Sequence, residues 1–212
     1  WGDFGIDLAL GSRIDREATP YEYMFLPDYL AEGFASATIE QNGQAVPLTG
    51  KPQPVFVQTP PAEKPFSPFE PTVLAWALFV AVAVVTFLDL KKGTRSTTLD
   101  FVLFFLAGLL GIVMLLLWFA TDHQATAYNF NLLWAIPTHA IVAFFVARRV
   151  MPEWTSKYMA ITGIVTGLLT ISWWLLPQQP HAAFIPLGLM LFLRAEYIAW
   201  SQKKKELVAA KV

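Results

Sequence analysis

The chain has no cysteine among its 212 residues. This excludes disulfides, a thiol nucleophile, thiolate-bound zinc, iron–sulfur clusters and c-type haem attachment within the polypeptide. Charge is also scarce. Charged side chains make up 15% of the residues, against roughly 25% in soluble globular domains. The net charge is -1 and no basic stripe runs along the chain, so no nucleic-acid partner is expected. There is no Walker loop, GxGxxG, GxSxG or HExxH. No charged segment followed by a short apolar run stands at Trp1, so no signal peptide is expected within these residues. Residues 1–70 read as an exported segment, which normally needs an export signal. A segment upstream of Trp1 is therefore expected.

Apolar residues are abundant, at 55%, and the mean hydropathy is +0.47. They are concentrated in 71–200, whereas residues 1–70 hold ten of the sixteen acids. Five apolar runs stand out, at about 72–90, 99–120, 131–147, 158–176 and 182–200. Each approaches the roughly 20 residues that cross about 30 Å of hydrocarbon. Backbone groups in lipid must be paired internally, so these runs should be helices. The third is the shortest. The expected fold is an all-α membrane protein, a bundle of five transmembrane helices over 72–200. Ahead of it lie an extracytoplasmic arm (1–51) and a proline-rich linker (52–71), and behind it a basic tail (201–212).

Loop charges set the orientation. Lys91, Lys92 and Arg95 follow the first run, Arg148, Arg149 and Lys157 the third, and Lys203, Lys204, Lys205 and Lys211 the fifth. Loops 121–130 and 177–181 carry no Lys or Arg. This alternation puts the basic loops and the C-terminus in the cytoplasm and the arm outside it. Trp118, Trp134, Trp173 and Trp174 would mark the outer interface, and Trp154 and Trp200 the inner one.

The arm is partly irregular. Thr19-Pro20-Tyr21-Glu22 has the form of a capping box with proline at the first helical position. A short helix should follow, interrupted at Pro27, with a second piece from Asp28 to Phe34 ending near Gly33. Asn42-Gly43 between two short strand-like runs predicts a β-hairpin.

Several polar groups are candidates for function. Asp122, His123, Asn129 and Asn131 gather in one cation-free loop, suited to a lipid headgroup or to docking the arm. An Asp–His base is the weaker alternative, because adjacent residues rarely point at one target. His123, His139 and His181 could in principle ligate a haem or a metal, but no spacing dictates a geometry, and we expect no metal and no cofactor. Arg194 and Glu196 lie within the last run, where snorkelling accounts for Arg194. Asp89 and Asp100 read as balancing the basic loop between them. Gly163 and Gly167 form a small-residue face for helix packing, with Gly108 and Gly111 as its opposite surface.

Two stretches carry a resemblance. Asp7-Leu8-Ala9-Leu10-Gly11-Ser12-Arg13-Ile14-Asp15, followed by Met24 to Leu30, resembles the end of the periplasmic domain of Lnb-type bacterial lipoprotein N-acyltransferases. Trp118 to His123 and Asn129 to Trp134 are similar to the junction of the second and third spans in that family's five-helix C-terminal domain. The resemblance implies acyl transfer onto the N-terminal amine of lipoproteins, by a Cys–His pair in a papain-like domain that would lie upstream of Trp1. No residue here can inherit the thiol role, because the chain has no cysteine.

That departure ranks the functions. A non-catalytic membrane subunit or anchor comes narrowly first. It would contact membrane lipids and other membrane subunits in a larger bacterial complex, for example a respiratory assembly such as alternative complex III. The membrane half of a lipoprotein N-acyltransferase comes second, and a haem- or quinone-binding electron carrier third.

Overall fold

The computed structural model describes residues 1–51, 53, 66–148 and 150–209. Most of the proline-rich linker, Arg149 and Lys211 lie outside the described residues. The chain forms two compact units, one of residues 1–15 with 67–212 and one of residues 16–66. The unit boundary thus falls after Asp15, inside the stretch read as a single arm.

The smaller unit follows its local signals. Helix α2 (Pro20–Tyr23) opens on a complete capping box, with Thr19 and Glu22 exchanging side-chain and backbone hydrogen bonds. Helix α3 (Pro27–Ser36) has Pro27 at its first turn. Proline thus starts this helix rather than interrupting one, since its missing N–H costs nothing there. The helix also runs through Gly33 to Ser36. Strands β1 (Thr38–Gln41) and β2 (Gln44–Pro47) pair antiparallel, Gln41 opposite Gln44. Asn42 and Gly43 supply the two positive φ values of the turn, 54° and 77°.

The larger unit begins with helix α1 (Gly2–Ala9), and the chain rejoins it at Ser67. Four of its helices are long and apolar enough to cross a membrane: α4 (Pro71–Lys92), α5 (Thr97–Phe119), α7 (Glu153–Ser172, extended by a 3-10 turn to Leu175) and α8 (Phe184–Ala209). Helix α4 takes Pro71 in its first turn and stops at Gly93, which is left-handed at φ 63°, as expected for a glycine C-cap.

The third apolar run differs from its expectation. It is a 3-10 turn (Phe130–Leu133), a non-helical stretch through Pro137, and a short helix, α6 (His139–Val146). Eight residues rise only about 12 Å, so α6 is not a continuous span. Pro137 is the physical reason, because it removes a helical donor and crowds the preceding turn. The segment still follows α5 from end to end. Thr126 Oγ1 donates to Leu117 O at 2.8 Å near the α5 C-terminus. Gly111 and Gly108 then face Ala135 and Ala140, Phe101 meets Phe144 with ring centroids 5.1 Å apart, and Val146 O accepts from Arg95 just before α5 begins. The non-helical part is partly covered by protein: Trp134 and Ala135 are buried, Ile136 and Pro137 half-buried, and Thr138 exposed.

Small residues allow these close approaches. A Cβ at Gly108 or Gly111 would collide with the Ala140 or Ala135 backbone. A Cβ at Gly163 or Gly167 would instead meet Glu196 or Phe192 of α8. The two glycine pairs therefore serve separate interfaces, α5 with the third run and α7 with α8, and do not face each other as expected. Phe104, Met114, Met159, Leu191 and Ile198 are buried in the core between these helices.

Candidate functional site

Polar side chains are buried at both ends of the bundle, and the two sets differ in chemistry. At the α5 C-terminal end the set is neutral. Asn129 Nδ2 donates to Leu8 O at 2.8 Å and Asn131 Nδ2 to Asp7 O at 2.9 Å. Gln178 Nε2 donates to Leu10 O at 3.0 Å and Asp7 O at 3.3 Å. These carbonyls lie at the C-terminal turn of α1, where intrahelical donors have run out. The amides are fixed in turn. Trp134 Nε1 donates to Asn131 Oδ1 at 3.0 Å, the backbone N–H of Asn131 to Asn129 Oδ1 at 2.9 Å, and that of Phe130 to Gln178 Oε1 at 2.6 Å.

Backbone and aromatic contacts extend this grip. Gly11 N donates to Ala125 O at 2.8 Å, and Gln179 N donates to Asp15 Oδ2 at 3.2 Å. Gly11 lies so close to the Ala127 carbonyl that no Cβ fits there. The Phe4 ring packs on Phe184 and edge-on to His181, at 5.3 and 5.4 Å. Burial raises the Asp7 carboxyl above its usual range, the dominant influence on that group.

This set brings together two of the four residues singled out in loop 121–131. Asp122 and His123 are exposed and share no hydrogen bond with Asn129 or Asn131. Gln178 completes the set and was not read from the sequence, because a glutamine in a short loop has no spacing to mark it.

At the other end the set is charged. Arg194 is fully buried. Its Nε and Nη2 reach Asp100 Oδ1 at 2.8 and 2.5 Å, and its Nη1 reaches Asp89 Oδ2 and Thr86 Oγ1, both at 3.0 Å. Asp89 also accepts from the Ser96 backbone N–H at 2.9 Å and hydroxyl at 2.8 Å. Arg95 brings its Nε to 3.8 Å from Asp100 Oδ2 and donates to Val146 O at 2.7 Å. Tyr197 donates its hydroxyl proton to the Thr94 carbonyl. Helices α4, α5 and α8 and the end of α6 are thus joined by two cations and two carboxylates. Snorkelling does not describe Arg194. The helix continues past Lys205, about 16 Å further on, and the guanidinium turns inward to its carboxylates. Asp89 and Asp100, read as balancing their loop, are the partners of Arg194.

The histidines stay apart in role. His139 is buried with Nδ1 2.6 Å from the Tyr158 hydroxyl, His181 packs on Phe4, and His123 is exposed. Among the described residues no group of three or more His, Cys, Asp or Glu comes together to hold a metal.

The family model of the Lnb transmembrane domain matches residues 62–206, about two thirds of the sequence. The chain belongs to the Lnb transmembrane domain family. It is accordingly a bacterial membrane protein. The matched stretch takes in α4 to α7, most of α8, the three amides and the whole ion cluster, but not α1. Searches of curated proteins and of solved structures returned no significant match.

Proposed function

We propose that this chain is the membrane half of a lipoprotein N-acyltransferase-like protein of the bacterial inner membrane. Its amide set grips the chain segment that leads from the periplasmic domain. One observation carries this reading. The stretch that resembles the end of the family's periplasmic domain, Asp7 to Asp15, lies against the stretch that resembles the second-to-third-span junction, Asn129 to Trp134. The contact runs through amide donors on backbone carbonyls. Amides holding carbonyls fix position, so this set serves to orient the segment it holds. The acyl-transfer chemistry would belong to the family's Cys–His domain.

The reading includes five crossings, the third of them broken. The third run accompanies α5 along its length, and non-helical backbone is tolerated at membrane depth where protein encloses it. An odd number of crossings also fits the alternation of basic and cation-free loops. The family match favours this function over the subunit reading that the missing cysteine had put first, and a respiratory complex gains no support from it.

The test is genetic and chemical. The gene that encodes this chain is expressed in a bacterium depleted of its own lipoprotein N-acyltransferase. Mass spectrometry of a lipoprotein N-terminal peptide should show restored N-acylation, and growth should recover. Free N-termini despite membrane-inserted protein would overturn the reading. Stoichiometric co-purification with electron-transfer subunits would favour the subunit role instead.

A further inference from the structure

Beside the ion cluster, a recess of about 350 Å³ opens between the α4–α5 loop and the last turns of α8. Its walls include Gly93, Arg95, Tyr197, Trp200, Lys204 and Lys205, and no acid is among its described lining residues. Two of its side chains are tied to neighbouring segments. Tyr197 is bonded to the Thr94 carbonyl, and Arg95 is held by Val146 O and lies beside Asp100. The rim is cationic and aromatic. Lys204 Nζ lies 5.1 Å from the Trp200 ring centroid, and both lysines are exposed. Lys203, next to them in sequence, lines a different recess with Glu153, Lys157 and Glu196.

A pocket between transmembrane helix ends, walled by tryptophan and tyrosine and rimmed by lysines, has the chemistry of an anionic headgroup site at a membrane interface. We infer that the recess lined by Arg95, Trp200, Lys204 and Lys205 binds the phosphate-bearing headgroup of an anionic membrane phospholipid. The lysines supply the charge and the Trp200 ring borders the acyl region. Arg95 contributes less, because Asp100 already faces it. The inference stands independently of the acyltransferase reading and does not depend on which leaflet the recess meets.

The purified full chain in mild detergent is titrated with phosphatidylglycerol and, separately, with phosphatidylcholine of the same acyl chains. Bound lipid is read by native mass spectrometry. Phosphatidylglycerol should be retained several-fold more strongly. Lys204→Gln with Lys205→Gln should erase that preference, and Lys203→Gln should preserve it. Gel filtration and circular dichroism check that the variants fold. Equal retention of the two lipids by the parent chain would overturn the proposal, as would a preference that survives the double substitution. An equal loss in Lys203→Gln would overturn it too, by showing diffuse attraction to a basic tail. Full displacement of the lipid by millimolar inorganic phosphate would mean a free-phosphate site, not a lipid site.

Discussion

The two ends of the bundle solve different problems with different polar groups. At one end Asn129, Asn131 and Gln178 hold a segment that is distant in sequence by its backbone carbonyls. At the other, Arg194, Asp89, Asp100 and Arg95 join helices through full charges. Amides leave no net charge behind if the held segment departs, so the grip can open at modest cost. The ion cluster cannot, because removing one partner leaves an unpaired charge in a buried place. One end therefore suits a junction between parts and the other a permanent lock.

The largest effect should come from breaking the lock. Arg194→Met leaves Asp89 without a cation and Asp100 with Arg95 alone, at 3.8 Å, and should cost about 3–5 kcal/mol, seen as a collapse of thermal stability in mild detergent. Adding Asp89→Asn and Asp100→Asn should recover much of that loss. A single variant as stable as the parent would erase the contrast between the two ends.

The amide end should respond less and more locally. Asn131→Ala removes the donor to the Asp7 carbonyl and should cost about 1–3 kcal/mol. Hydrogen exchange should quicken in residues 1–15 while the cores of α7 and α8 stay protected. Gly11→Ala should act in the same place, through its clash with the Ala127 carbonyl. Uniform deprotection of the whole chain would mean that this end is a lock as well.

The smallest effect lies in the separate unit of residues 16–66. Glu22 accepts from Arg16 and from Thr19, which lowers its pKa from 4.5 to about 2. Its contribution is therefore complete above about pH 4.5 and is lost as pH falls toward about 2. Acid should fray α2, seen as faster amide exchange at Glu22 and Tyr23, and Glu22→Gln should remove that pH dependence. Both ends of the bundle should be unaffected by this substitution.

What could be read from the sequence followed the range of the interactions. The capping box, the Asn-Gly turn and four long spans are local, written in adjacent residues or in a single apolar run. The broken third run was partly legible, since Pro137 stands inside it. The ion cluster was not read, because its partners are 105 and 94 residues from Arg194. The signal available was the arginine itself, set well inside a span where an unpaired charge is costly. At the amide end the loop pointed to Asn129 and Asn131 but equally to Asp122 and His123, and only the fold separates the two pairs.

The contrast between the ends requires that they lie on opposite sides of the membrane, with the broken third run completing an odd number of crossings. No cysteine within these 212 residues competes for the label. Gln124→Cys and Lys204→Cys, made singly and expressed in cells, are treated with a membrane-impermeant maleimide. Gln124→Cys should be labelled in intact cells and Lys204→Cys only after the membrane is permeabilised. Labelling of both from the same side would mean four crossings and would contradict the account.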